Sequence, residues 1–243
     1  MNSIITDGLV IREQYTGESD RILTLLTREH GIIRAFAKSA RRPKSKLYSG
    51  TAFLAFSDFM IIPLRDSYQI REATVKNVFR GLYDNIDILA TAEHFCELMC
   101  ELAPEQSNAE DYLKLILNSL HFLSQGVSPN RLKTFFQLRL LSMAGYSPNL
   151  LACKRCGTYE SDTMFFDLAE GCIYCENCRG KGRELPLQVI TSMRDIIYPD
   201  LKQAFEYSTS DQTFNILSGI VEEYLVLSTS RHFKTLDFIN NIK

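Results

Sequence analysis

Cys153-Lys-Arg-Cys156 and Cys175-Glu-Asn-Cys178 are two Cys-x2-Cys pairs with 18 residues between them. Two thiolates on one tight turn can face a single ion, and two such knuckles complete a tetrahedron of soft ligands, the spacing and donor set of a Zn²⁺ site. Gly157 supplies backbone freedom behind the first pair, and Lys154, Arg155 and Arg179 are expected to help keep the thiolates ionised. Cys172 also forms a Cys-x2-Cys with Cys175 at a 15-residue gap, so Cys172 and Cys178 compete for the fourth place. Reduced thiols without a metal are the plain alternative, against which this specific spacing argues. Four thiolates leave no open coordination position, so one structural ion is expected. Cys96 and Cys100, four residues apart on one helix face, read as core thiols.

A second group of residues has a different chemistry. No acidic side chain occurs from Gly31 to Ser57, while Arg34, Lys38, Arg41, Arg42, Lys44 and Lys46 all fall there. On a strand, Ile33, Ala35 and Ala37 share one face and Ile32, Arg34, Phe36 and Lys38 the other. That second face alternates cation, aromatic ring and cation, and the loop Ser39–Ser45 continues the charge. Cations for phosphates and a ring for bases are what a single-stranded nucleic acid requires. A solvated charged loop is the competing reading.

Around these groups, 45% hydrophobic and 23% charged residues describe a globular chain of 243 residues, with no apolar run long enough for a membrane helix. The net charge of −2 conceals a split. Residues 1–80 hold 13 Lys and Arg against 8 Asp and Glu, and residues 81–243 hold 14 against 21. The N-terminus Met1–Asp7 has no basic n-region or long apolar h-region, so no secretion signal is read, and seven cysteines then point to metal or reduced thiols. Phosphate-binding, dinucleotide and Gly-x-Ser-x-Gly motifs are absent. His30, His94, His121 and His232 are scattered, and His94 and His121 read as packing or surface residues of helices. Glu110-Asp111 and Glu222-Glu223 read as solvated helix faces. No enzymatic chemistry is expected.

The elements that must carry these groups form an α+β chain. Ile4–Tyr15, Arg21–Thr27, Gly31–Lys38, Thr51–Leu64 and Tyr68–Val78 read as five strands of a small antiparallel barrel, with turns that include Asp66-Ser67. Beyond Gly81 the apolar period becomes helical, as in Leu89, Ala92, Cys96 and Met99, or Phe136, Leu140 and Met143. The expected division is a barrel over 1–80, an all-helical domain over 81–150 and 183–243, and a zinc-binding insert over 151–182.

Gly8-Leu-Val-Ile-Arg12, Gly17-Glu-Ser-Asp20-Arg21, Leu25-Leu-Thr-Arg28-Glu-His-Gly31 and Ala37-Lys-Ser-Ala-Arg-Arg42, followed by the two knuckles and by Phe233-Lys234-Thr235-Leu236-Asp237-Phe238, resemble the RecO family of bacterial DNA repair proteins. The resemblance covers almost the whole chain. It implies an N-terminal OB-fold, a helical domain with a zinc element, and a cytoplasmic, nucleoid-associated mediator of the RecF pathway that is not an enzyme. Such a mediator binds single- and double-stranded DNA, anneals complementary strands, and with RecR helps place RecA on DNA coated by SSB, whose C-terminal tail it also binds. It implies DNA contacts at Arg34, Lys38, Arg41, Arg42 and Lys44, to which the residue pattern adds Phe36 and Lys46, and zinc ligands at Cys153, Cys156, Cys175 and Cys178. Two departures stand out. The family commonly has Gly where Ser39 stands, and often Gly-Gly where this chain has Gly171-Cys172, which makes Cys172 the surplus thiol. Lys133 and Arg139 are candidates for meeting the tail's carboxylates, with an ordinary surface role as the alternative. Rival readings are a zinc-containing interaction adaptor that does not bind DNA and, ranked last, a zinc hydrolase or nuclease.

Overall fold

A computed structural model of the chain describes residues 3–65 and 67–242. Met1, Asn2 and Asp66 of the expected Asp66-Ser67 turn lie outside the described residues. The chain divides into two compact units, one comprising residues 1–127 and 233–243 and the other 128–232.

The first unit opens with five strands, β1 (Ile4–Thr16), β2 (Asp20–Thr27), β3 (Gly31–Ala37), β4 (Ala55–Pro63) and β5 (Tyr68–Val78). They close into a barrel in the order β1-β2-β3-β5-β4, the arrangement of an OB-fold. All pairings are antiparallel except a short parallel seam, Ala35 beside Tyr68 and Phe36 beside Gln69. Register shifts at Val10/Arg12, Phe56/Ser57 and Met60/Ile61 bend the long strands enough to close it. Val10, Leu23, Leu25, Ile33, Ala35, Ala37, Phe59, Ile61 and Ile70 fill the interior. The fourth strand starts at Ala55 and not at the expected Thr51. Residues 51–54 turn instead, because buried Thr51 bonds Leu47 O at 2.6 Å and Leu54 has a left-handed φ of 63°.

Two helices of this unit, α1 (Ile86–Leu102) and α2 (Glu110–Ser124), pack beside the barrel. Their linker lies against the start of β3, where Ile32 N donates to Pro104 O at 2.9 Å. A Cβ at Gly31, whose φ is +58°, would stand 2.1 Å from that same oxygen. Arg28, in the turn just after β2, grips Asp7 of β1 with two bonds of 2.9 and 2.7 Å and reaches Glu110 at 3.1 Å, and Lys76 adds a 3.3 Å contact to Asp7. Burial pushes the Asp7 carboxyl up, but Arg28 and Lys76 outweigh it and hold it below the usual range. The last helix, α7 (counted after the second unit's α3–α6; Lys234–Asn241), also belongs here. Glu97 of α1 accepts from Lys234 N at 3.2 Å and Thr235 N at 3.1 Å, and fully buried His94 bonds the Thr235 hydroxyl at 2.7 Å. His94 therefore has the packing role expected of it.

The second unit contains α3 (Pro129–Met143), α4 (Leu187–Ile197), α5 (Leu201–Phe205) and α6 (Asp211–Thr229). It also contains a sheet in the order β7-β6-β8, from Thr163–Asp167 (β6), Cys172–Cys175 (β7) and Arg183–Pro186 (β8). Lys133 of α3 is 1% exposed and paired with Glu222 of α6. Half-buried Arg139 donates to Ile196 O and Ile197 O at 3.0 and 2.5 Å, where its guanidinium satisfies carbonyls at the end of α4. This corrects two expectations: Lys133 and Arg139 are committed inside the unit and are not free to meet a peptide's carboxylates, and Glu222 is an ion-pair partner and not a solvated face. Among the described residues, no helix is long and apolar enough to cross a membrane.

Because the folded Asp7 carboxyl sits below its ordinary range, its stabilisation is present at neutral pH and is lost as pH falls through that depressed value. Asp7→Asn should lower stability by roughly 2 kcal/mol near pH 7. The deficit should shrink in acid, as pH falls through the depressed value of Asp7 and the wild-type carboxyl protonates too. Denaturant unfolding across pH measures both.

Candidate nucleic-acid interface and metal centre

Barrel closure sorts the residues of β3. Ile33, Ala35 and Ala37 are buried in the interior, while Arg34 is exposed and Phe36 is half-buried; the strand ends at Ala37, one residue short of the expected Lys38, which is exposed in the turn that follows. Ile32 shares the outer parity but lies covered where Pro104 binds its N–H. In register across the three strands, Arg12 pairs with Thr24 and Thr24 with Arg34, and Gln14 pairs with Ile22 and Ile22 with Phe36. The outer face thus presents a row ending in two guanidinium groups beside a row ending in an aromatic ring. Arg12 was missed by the sequence reading. Leu9, Val10 and Ile11 are all buried across the register shift, so alternation breaks just before it.

The basic loop is built, not slack. Ala40 and Leu47 insert into the barrel core and leave Arg42, Lys44 and Lys46 exposed between them. Successive turns are closed by Arg42 N to Ser39 O (3.2 Å), Ser45 N to Arg42 O (2.8 Å) and Tyr48 N to Ser45 O (3.1 Å). Ser39, where Gly is common in the family it resembles, takes a left-handed φ of 55°. Its N–H donates to Asp20 Oδ1 at 2.6 Å, which holds a conformation that glycine adopts without strain. Buried Arg21 fixes the far side of the loop by donating to Tyr48 O and Thr51 Oγ1, both at 2.9 Å. Among the described residues none of Arg34, Lys38, Arg41, Arg42, Lys44 and Lys46 has a carboxylate partner, whereas Arg21, Arg28 and Lys76 all do. The outer charge is left available to a polyanion.

In the second unit, the Sγ atoms of Cys153, Cys156, Cys175 and Cys178 all lie within 4.8 Å of one another, with Cys156 and Cys175 at 3.5 Å. A tetrahedral site with metal–sulfur bonds near 2.3 Å places sulfurs about 3.8 Å apart, so this set fits one ion. Cys172 stands aside, its thiol 3.5 Å from Glu170 Oε2. The first knuckle closes with Gly157 N donating to Cys153 O at 2.9 Å. Arg194 of α4 clamps the surrounding loop through Leu150 O, Leu151 O and Tyr159 O at 2.8, 3.3 and 3.1 Å. The Thr158 hydroxyl, 3.1 Å from Cys156 Sγ, and its backbone bring that thiol down to about 6. Hydrogen bonding to Cys156, then burial, pushes Cys178 up to about 12. Burial raises the Cys153 thiol, but backbone N–H groups of Cys175, Cys156 and Arg155 outweigh it. Neighbouring donors do the work expected of the flanking cations. Lys154 is turned to Glu170 at 2.8 Å, and Arg179 sits 5.9 Å from the Phe165 ring.

Two family models match this chain: "Recombination protein O N terminal" over residues 1–79 and "Recombination protein O C terminal" over residues 83–237. The DNA repair protein RecO of Acetivibrio thermocellus is 31% identical over 100% of this chain and 98% of that protein. The RecO of Caldicellulosiruptor saccharolyticus is 29% identical over 100% of both. That of a Dehalococcoides mccartyi strain is 30% identical over 76% of this chain and 74% of its own.

Metal analysis of the purified chain should find one thiolate-bound ion per molecule. Cys175→Ser should remove it, because a fourth ligand is lost from a closed site, and should destabilise the sheet around β7. Full metal content in that variant would contradict the assignment of this ligand.

Proposed function

Since the chain belongs to the RecO family of DNA repair proteins, we propose that it is a recombination mediator without enzymatic activity of its own. It binds single- and double-stranded DNA, anneals complementary strands and, with RecR, helps load RecA onto DNA coated by SSB, whose C-terminal tail it engages. Its place of work is the bacterial cytoplasm, at the nucleoid. The observation that carries the DNA-binding part is the set of six cations over Arg34–Lys46, which have no carboxylate partner among the described residues and lie on one strand and one braced loop.

Arg34, Lys38, Arg41, Arg42, Lys44 and Lys46 neutralise phosphates, and Phe36 offers an apolar edge indifferent to base identity, so binding is independent of sequence. Two strands whose backbones are neutralised no longer repel, and exposed bases then find their complements. One structural Zn²⁺ on Cys153, Cys156, Cys175 and Cys178 closes the loop that joins the two knuckles; it clips the fold and offers no position to a substrate.

Labelled complementary oligonucleotides, bare and SSB-coated, should anneal faster with the protein than without it. No acceleration on either substrate would overturn the mediator reading.

A further inference from the structure

Two aromatic side chains outside the β3 face are exposed beside the basic loop. Tyr15, near the end of β1, is 61% exposed, and Tyr48 in the loop is 44% exposed. Each has an arginine against its ring. The Arg41 guanidinium carbon lies 4.1 Å from the Tyr15 ring centre, and that of Arg21 lies 5.3 Å from the Tyr48 centre. Tyr15 and Arg21 are register partners across β1 and β2, so both rings border the same end of the barrel.

The two arginines are themselves held. Arg21 is buried and donates to the Tyr48 carbonyl and to Thr51, with Glu13 at 3.7 Å. Arg41 is tied by its backbone N–H to Ser19 O at 2.9 Å and by a 3.4 Å contact to Glu18 O. The Tyr15 hydroxyl donates to Glu13 at 3.2 Å. A ring with a guanidinium on one side and its hydroxyl tethered has lost most of its rotamer freedom before any ligand arrives. Phe36 differs: it is half-buried between Ile22 and Gln69 in the register of the barrel wall.

Resting on the DNA-binding reading above, we infer that Tyr15 and Tyr48 form a stacking platform for unpaired bases of a single strand whose phosphates lie on the Arg41–Lys46 loop. Aromatic faces accept any base, so the platform adds affinity without adding sequence preference. Bases inside a duplex are already stacked on both faces, so the platform acts only on single strands and strand ends. It separates the two DNA substrates by the availability of base faces, while the phosphate contacts serve both.

The test compares an oligo(dT) with an abasic oligonucleotide of equal length, which has the same phosphates and no bases. Wild type should bind oligo(dT) roughly tenfold or more tightly. Tyr15→Ala/Tyr48→Ala should remove most of that preference and leave only what Phe36 contributes, and an undiminished preference in the double variant would overturn the platform. Equal wild-type affinity for the two oligonucleotides would overturn the platform and leave phosphate binding standing, whereas no binding to either would overturn the reading beneath it. If the double variant fails to fold, Tyr15→Trp gives a second measurement, because the chain has no tryptophan. Its emission should be quenched by oligo(dT) and not by the abasic strand, and an unresponsive tryptophan with bound oligo(dT) would place the bases elsewhere.

Discussion

A closed barrel of five strands has an interior too narrow for charge and barely wide enough for its own side chains. On β3 this admits Ile33, Ala35 and Ala37 and turns Arg34 and Phe36 outward, with Lys38 exposed just past the strand's end. Two small residues in three inward positions leave space that Ala40 and Leu47 fill from the loop beyond. That insertion is what gives the loop a shape. With those two anchors inside, Arg42, Lys44 and Lys46 have nowhere to go but out.

Charge is then divided by use. Arg28 and Lys76 meet Asp7, and Arg21 stands near Glu13 while bonding Tyr48 and Thr51. These cations hold strands, helix and loop together. The six from Arg34 to Lys46 have no carboxylate partner among the described residues and form the part of the charge that can act on a ligand. In the other unit four cysteines lie close enough to share one ion beside a sheet of three short strands. Met164, Phe166 and Ile173 supply its buried side, and Arg194 fixes the loop ahead of it.

The cysteine spacing, the five strands and the cationic window were all legible in local sequence because each depends on period or spacing alone. Arg12 was not, since a register shift resets the alternation just before it. Thr51–Leu54 has strand-forming residues, yet Thr51 spends its hydroxyl on the loop and Leu54 turns left-handed. Lys133 looks like a surface cation on a helix until Glu222, 89 residues away, is folded against it. The grouping of α1, α2 and α7 with the barrel was equally invisible. Helical period tells that a helix has an apolar face but not which neighbour covers it, and the cap that Glu97 and His94 give to Thr235 spans about 140 residues of sequence.

Sequence-independent phosphate binding through the outward cations is the claim on which the functional account stands. Titration of single-stranded oligonucleotides of different sequence over a range of salt concentrations tests it most directly. The wild-type log affinity should fall linearly with log salt, by about 0.7 for each phosphate neutralised, and alike for every sequence. Arg41→Ala/Arg42→Ala should weaken all sequences equally and flatten that slope. Affinity and slope unchanged in the double variant would contradict the account.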